Sequence, residues 1–364
     1  MDEDFMAAMR QTLKAVREGN PAKATQVIQG ALSPAFQTAA PAAAQKADRT
    51  TGTAPRKSRA MSQVLAELAA RVPKRASNLR PTVLAGGLPE GATFERRRYE
   101  GPHGSREYLL FCPSGQQRPI RGVVMMLHGC TQTPDDFAVG TGMNRLADDH
   151  DLIVVYPEQT RGDNMQLCWN WFRPGDQRSD GGEAALLAGL GAAVLAEHGL
   201  EPAGLFVGGL SAGGAMAALL ANTHPHLVTA AAVHSGLAPG SAQDVVSALA
   251  AMRGDASGRA EALTVPSIIF HGSADATVAP VNAGRLAGPL TATTERTGTG
   301  PSRRFDVLSG LNASGHPVEV WRINGGGHTW SGGKAEGSYT DPTGPDASAE
   351  MIRFFVEILD KRKG

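Results

Sequence analysis

A side-chain hydroxyl becomes a nucleophile at neutral pH when a base takes its proton and an acid orients that base. Ser211 is the hydroxyl to consider. It stands in GGLSAGGAMA (208–217), with a glycine two places away on either side. In a chain with 44 glycines among 364 residues, a G-x-S-x-G match carries weight only with its structural context. That context is present: LFV (205–207) reads as a strand, and AGGAMAALLANTHP, from 212, reads as a helix. A strand-to-helix turn this sharp lifts the serine above a sheet and crowds the backbone, so Gly209 and Gly213 have to lack a Cβ. The new helix presents the Ala212 amide to a developing oxyanion, with the helix dipole adding to it. The plain alternative is a loop serine among glycines.

The acid and base should follow the nucleophile in that order. IIFHGSADATV (268–278) leaves an apolar strand and reaches Asp275, at the strand end where such sites form. Beyond it only His316 and His328 remain. His316 precedes a strand in SGHP, a place that suits stability. His328 follows VEVWRI in the glycine-rich NGGGHTW and is the expected base. Asp255, Asp306 and Asp341 are the alternative acids, in less suitable positions. A second oxyanion donor is expected after an early central strand, where VVMMLHGCTQT offers the Cys130 amide. His128 in the same stretch is read as a satisfied polar residue with no proton to move. Trp169, Trp171 and Trp330 are candidates to wall an apolar acyl or aryl pocket, ordinary core packing being the alternative.

The elements that must position these groups alternate. Strands are expected at 96–101, 106–113, 121–129, 151–157, 204–210, 228–236, 266–272 and 318–323. Helices are expected at 141–150, 181–198, 212–224 and 346–362. Short apolar strands separated by helices indicate an α/β fold, a mostly parallel sheet with helices on both faces. Ahead of it, Phe5, Met9, Leu13 and Val16 share one helical face, and Asn20-Pro21 opens a second helix, giving a helical hairpin over 1–32. Residues 33–60 are Ala-, Pro- and Thr-rich without periodicity, and read as a flexible linker. Residues 61–92 read as a helix, with Met61, Val64, Leu65, Leu68 and Val72 as its stripe, and a connection. The catalytic domain is expected over 93–364.

The 35 basic and 35 acidic residues cancel, so no global charge draws the chain to nucleic acid or an anionic membrane. No 18-residue apolar run suggests a membrane helix. The opening MDEDFMAAMRQ is acidic and unlike a secretory signal, which favours a cytoplasmic location. The three cysteines, Cys112, Cys130 and Cys168, form no C-x-x-C pair and read as partly buried free thiols. No metal-ligand cluster or phosphate-type glycine loop competes for the site, so no cofactor or metal is expected.

The stretches LHGCTQTPDDFAVGTGMNRLAD, VVYPEQ, CWNWF, GLSAGG, FHGSADATV and GGGHTWSGG lie in this order between residues 122 and 333. Through them the chain resembles α/β-hydrolase esterases of the poly(3-hydroxybutyrate) depolymerase type, close to feruloyl and acetyl-xylan esterases. The resemblance implies Ser211, Asp275 and His328 as a triad, Cys130 beside the oxyanion hole, and a Cys130–Cys168 bridge as the alternative to free thiols. It implies a serine carboxylesterase acting on hydroxyalkanoate oligomers or short esters. A feruloyl or acetyl-xylan esterase, and an inactive hydrolase-fold binding protein, are the alternatives. Two departures stand out: many members are extracellular and carry an export signal and a polymer-binding domain, neither of which is recognised here.

Overall fold

Runs such as GVVMML, LIVVYP and LFVGGL carry no charge and no polar alternation, and such runs suit strands covered on both faces. In the computed structural model, which describes residues 88–115, 119–255 and 259–363, they are β3 (Gly122–Leu127), β4 (Leu152–Pro157) and β5 (Leu205–Leu210), with every residue buried. The expected hairpin over 1–32, the linker over 33–60 and most of the 61–92 segment lie outside the described residues.

With β6 (Val228–His234), β7 (Ser267–Gly272) and β10 (Pro317–Ile323), these strands form a parallel block in the order β4-β3-β5-β6-β7-β10. Antiparallel strands extend both sides: β1 (Thr93–Gly101) and β2 (Gly104–Cys112) beyond β4, β9 (Arg304–Leu311) and β8 (Thr291–Thr299) beyond β10. The chain has the α/β-hydrolase fold expected of it.

Side chains alternate across β3, and each face has its own core. Val123, Met125 and Leu127 pack with Leu187 and Leu190 of α3 (Gly182–Glu197) and with Met216 and Leu220 of α4 (Ala212–Thr223). Val124 and Met126 face the opposite layer: Phe137 of α1 (Pro134–Thr141), Met143 of α2 (Met143–Asp149), and Met351 and Phe355 of α7 (Ala347–Lys363). Phe355 stacks on Phe206 of β5, with ring centroids 4.7 Å apart. Each buried Leu or Phe contributes about 1.5–3 kcal/mol, which makes this layer a rigid floor for the loops above it.

Several elements leave little trace in the sequence. β8 is TATTERTGT, polar and almost wholly exposed on an edge with no inward face to set a period, and β9 buries only Phe305 and Val307. Two short helices, α5 (Val245–Met252) and α6 (Val281–Ala287), and the small pair β11 (Trp330–Ser331) and β12 (Thr340–Asp341), were also not anticipated. The expected 141–150 helix is α2, and α1, which precedes it and ends at Gly142 (φ 61°), was not expected. Among the described residues no helix is long and apolar enough to cross a membrane.

The β5–α4 turn is the tightest backbone approach in the sheet. A Cβ at Gly213 would fall on the Leu127 carbonyl, and one at Gly209 would lie 2.5 Å from the Gly213 backbone. Gly213→Ala should therefore cost about 3 kcal/mol or more in a urea melt. By contrast Gly284→Ala, in α6 with open space where its Cβ would go, should stabilise by about 0.5–1 kcal/mol. A neutral Gly213→Ala would refute the close approach.

Candidate active site

Ser211 leaves β5 at φ 57° and ψ −119°, a backbone conformation that costs a non-glycine residue of order 1–3 kcal/mol. Neighbours hold it there. Its amide donates to the His234 carbonyl at the end of β6 (2.9 Å), and its own carbonyl accepts from Ala215 in the first turn of α4 (2.9 Å). Ala212 opens α4, so its amide is one of the helix donors without an intrahelical acceptor.

Asp275 follows β7 and His328 follows β10, and backbone bonds stitch the two loops together. Ser273 donates to Ile323 O and Ala274 to Gly326 O, each at 2.9 Å, while Gly325 N donates to Ser273 Oγ. Gly272 is needed for this contact, since a Cβ there would collide with the backbone of Gly326 and Gly327, and Gly325 turns the second loop at φ 70°. Asp275 is buried. Its Oδ1 accepts the Thr277 and Val278 amides at 2.9 Å, and its Oδ2 accepts His328 Nδ1–H at 2.8 Å. Burial pushes the Asp275 carboxyl up, but the His328 hydrogen bond and charge, the Val278 amide and His271 together hold it below the usual carboxylate range. With Nδ1 donating, His328 keeps Nε2 bare. Ser211 and His328 line one cavity of about 270 Å³.

Cys130 and Ala212 line the same cavity. The amide of Gly129 is taken by Gln132 Oε1 (2.9 Å) and that of Thr131 by Gln166 O (2.8 Å). The Cys130 amide between them meets no acceptor among the described residues. Cys130 is bonded to Cys168, with Cα atoms 4.2 Å apart, so the free-thiol reading is corrected for these two and holds for Cys112 alone. Burial raises the Cys112 thiol pKa. A serine and an imidazole lining one cavity, a buried carboxylate bonded to that imidazole, and an unpaired amide nearby are parts that acyl transfer through a covalent intermediate can use.

The alternatives lie elsewhere. His316 is exposed in the β9–β10 turn. The side chain of Asp255 is exposed beside Arg253, Asp306 accepts from Asn324, and Asp341 pairs with Arg303. Of the three tryptophans only Trp171 lines the cavity. Trp169 is buried with its Nε1 donating to His128 O, and Trp330 is buried with its Nε1 donating to Ser348 Oγ. Both are core residues, a correction to their reading as pocket walls.

One residue at the site left no sequence signal. Besides taking the Ser211 amide on its carbonyl, His234 accepts the Ser331 amide on Nε2 (3.1 Å), and its ring stacks against Phe270 and Trp330. With Nε2 accepting, the proton sits on Nδ1, facing Ser235 Oγ at 3.2 Å. His234 thus ties the serine turn to the loop that carries His328. It lies within an apolar strand, where nothing in VTAAAVHSG separates it from a core residue.

A family model described as esterase PHB depolymerase matches residues 106–303. The chain is similar to poly(3-hydroxyalkanoate) depolymerase C of Paucimonas lemoignei, 33% identical over 251 residues, covering 62% of this chain and 58% of that protein. It is also similar to feruloyl esterase B of Thermothelomyces thermophilus, 29% identical over 171 residues, covering 47% of this chain and 56% of that protein. The chain thus spans little more than half the length of these curated relatives. Among solved structures, the acetyl xylan esterase from Aspergillus awamori shares the fold, with a TM-score of 0.54 and 20% identity over 72% of this chain and 99% of that one.

Two buried histidines support the loops as neutral rings. Burial pushes His234 down to about 3, with His271 and His328 adding to the effect. Burial likewise pushes His128, whose Nε2 accepts the Gln159 amide, down to about 4. An unfolded histidine titrates near pH 6.5. Below that pH the unfolded chain takes up protons that the folded chain refuses, so stability falls as pH falls. The slope is up to about 1.4 kcal/mol per pH unit for each ring, and it ends once pH drops below the folded values. Asp275, with its pKa depressed, keeps its contribution until pH passes below the ordinary carboxylate range. Urea midpoints should therefore decline steadily from pH 6.5 to 4.5, and His234→Gln should flatten the decline. A pH-independent midpoint across that window would contradict the neutral, buried rings.

Proposed function

Because the chain belongs to the esterase PHB depolymerase family, we propose that it is a serine carboxylesterase, hydrolysing hydroxyalkanoate oligomers or related short esters through an acyl-enzyme. The observation that carries this reading is the Asp275–His328 hydrogen bond beside a cavity that also holds Ser211 on its strained turn.

In this reading Ser211 Oγ attacks the ester carbonyl while His328 Nε2 takes its proton. Asp275 keeps the His328 ring in the Nδ1–H tautomer and stabilises the imidazolium. The Cys130 and Ala212 amides receive the oxyanion. His328 then protonates the leaving alcohol, and a water deprotonated by the same ring cleaves the acyl-enzyme. Trp171 and Phe172 in the cavity lining favour an aryl ester, such as a feruloyl ester, as the second reading. We assign the catalytic domain to 93–364 and leave 1–92 outside the chemistry. The Cys130–Cys168 bridge argues for an oxidising, extracytoplasmic compartment over the cytoplasm expected from the N-terminal residues.

Ser211→Ala and His328→Ala should each lower kcat on nitrophenyl butyrate by at least about 10⁴-fold, while His316→Ala should stay within a few-fold of the parent. A serine-directed phosphonate should label Ser211 alone. Near-parental turnover by purified Ser211→Ala would end the proposal.

A further inference from the structure

The helix α5 (Val245–Met252) takes no part in the proposed relay, yet one of its faces forms part of the cavity wall. Its sequence is VVSALAAM. Val245, Ala248, Leu249 and Met252 fall at i, i+3, i+4 and i+7, one helical face, and all four line the cavity. Leu237, after β6, and Val278, three residues past Asp275, continue the same apolar lining. None of the six offers a side-chain hydrogen bond.

The helix is anchored at one end. Met252 O accepts the Ala279 amide (2.7 Å), Ala251 O accepts Asn282 Nδ2–H (3.0 Å), and Arg285 donates to Gly254 O (2.6 Å). Asp244 and Ser247 close a capping box at the other end. There Val245 is 51% exposed and Val246 76% exposed, so the wall runs from the buried Ala248 out to solvent.

We propose that this wall selects the acyl group, and that the preferred ester carries an unbranched apolar acyl tail of roughly six to ten carbons. The proposal rests on the ester hydrolysis proposed above and narrows its substrate, within that reading, from hydroxyalkanoate oligomers to esters that carry such a tail. Size supports it first: a cavity of about 150 Å³ accepts a benzene ring, and 270 Å³ leaves an acetyl or single hydroxybutyryl group surrounded by unfilled apolar space. Chemistry supports it next, because a wall without donors or acceptors rewards methylenes and leaves a polar acyl group unsatisfied. The assignment to the acyl side follows from the order of events. The alcohol must leave and be replaced by water, whereas the acyl group stays on Ser211 through both half-reactions and gains most from a fixed wall.

Each buried methylene is worth about a four-fold gain in kcat/KM. The test measures kcat/KM of the full chain for nitrophenyl acetate, butyrate, hexanoate and octanoate, and for octyl acetate. Expected is an octanoate-to-acetate ratio of at least ten, reduced at least ten-fold by Ala248→Phe, which fills the buried end of the wall. Leu249→Trp, at a half-exposed position, should reduce it in the same direction and serves if the phenylalanine variant does not fold. An acetate preference that neither variant alters would overturn the inference while leaving ester hydrolysis standing. A flat acyl series with fast octyl acetate turnover would overturn it too, by moving the tail to the alcohol side. No turnover of any ester, with no phosphonate labelling of Ser211, would instead overturn the reading beneath it.

Discussion

The site depends on one steric fact: the Leu127 carbonyl occupies the place where a Cβ of residue 213 would be. β3 and β5 are neighbours in the sheet, with Leu127 opposite Gly209, and the first turn of α4 comes down onto the end of β3. Two consequences follow. Ser211 has to turn through a positive φ to enter the helix so abruptly. The chain leaving β3, which carries His128, Gly129 and Cys130, is pressed against the start of α4, so that Cys130 and Ala212 line one cavity with Ser211. The strain at Ser211 and the approach of the Cys130 loop to the start of α4 have the same cause.

The opposite side of the cavity is joined in a different way. The Asp275 and His328 loops come from β7 and β10, parallel neighbours in the sheet, and three hydrogen bonds connect them before the two side chains meet. The carboxylate–imidazole contact therefore needs little ordering of its own. His234 closes the assembly, with its carbonyl on Ser211 and its ring on Ser331. The ring stays neutral because it is stacked between aromatic faces, where an imidazolium would lose its hydration without a compensating partner.

The placement of Ser211, Asp275 and His328 in loops beyond β5, β7 and β10 was legible because each of those strands stands out in the sequence. The parallel centre was legible for the same reason, since strands covered on both faces are unbroken apolar runs. The edge strand β8 has no such run and was lost among threonines, whereas β1 at the other edge was expected over 96–101. The tryptophans mark a different boundary. CWNWF and HTW announce large apolar side chains near the site, but which of them lines a cavity and which fills the core depends on backbone direction. Trp169 points to the His128 carbonyl and Trp171 to the cavity, two residues apart on an irregular loop whose path no periodicity encodes. α5 was missed because VVSALAAM is apolar almost throughout and its moderate length gives no clear polar face, although its D-x-x-S capping pair is visible in hindsight.

This division has a physical logic that bears on specificity. The groups proposed for the chemistry are positioned by backbone hydrogen bonds and by glycines that admit no side chain, so substitution among them is costly. The apolar wall is built from side chains on a short helix anchored at its C-terminal end and open to solvent at the other. Changing Leu249 or Ala248 alters the volume beside Ser211 without touching the Leu127–Gly213 contact or the Asp275–His328 loops. A fold arranged in this way can hold its nucleophile geometry constant while the acyl group it accepts is set by a few side chains on one helix.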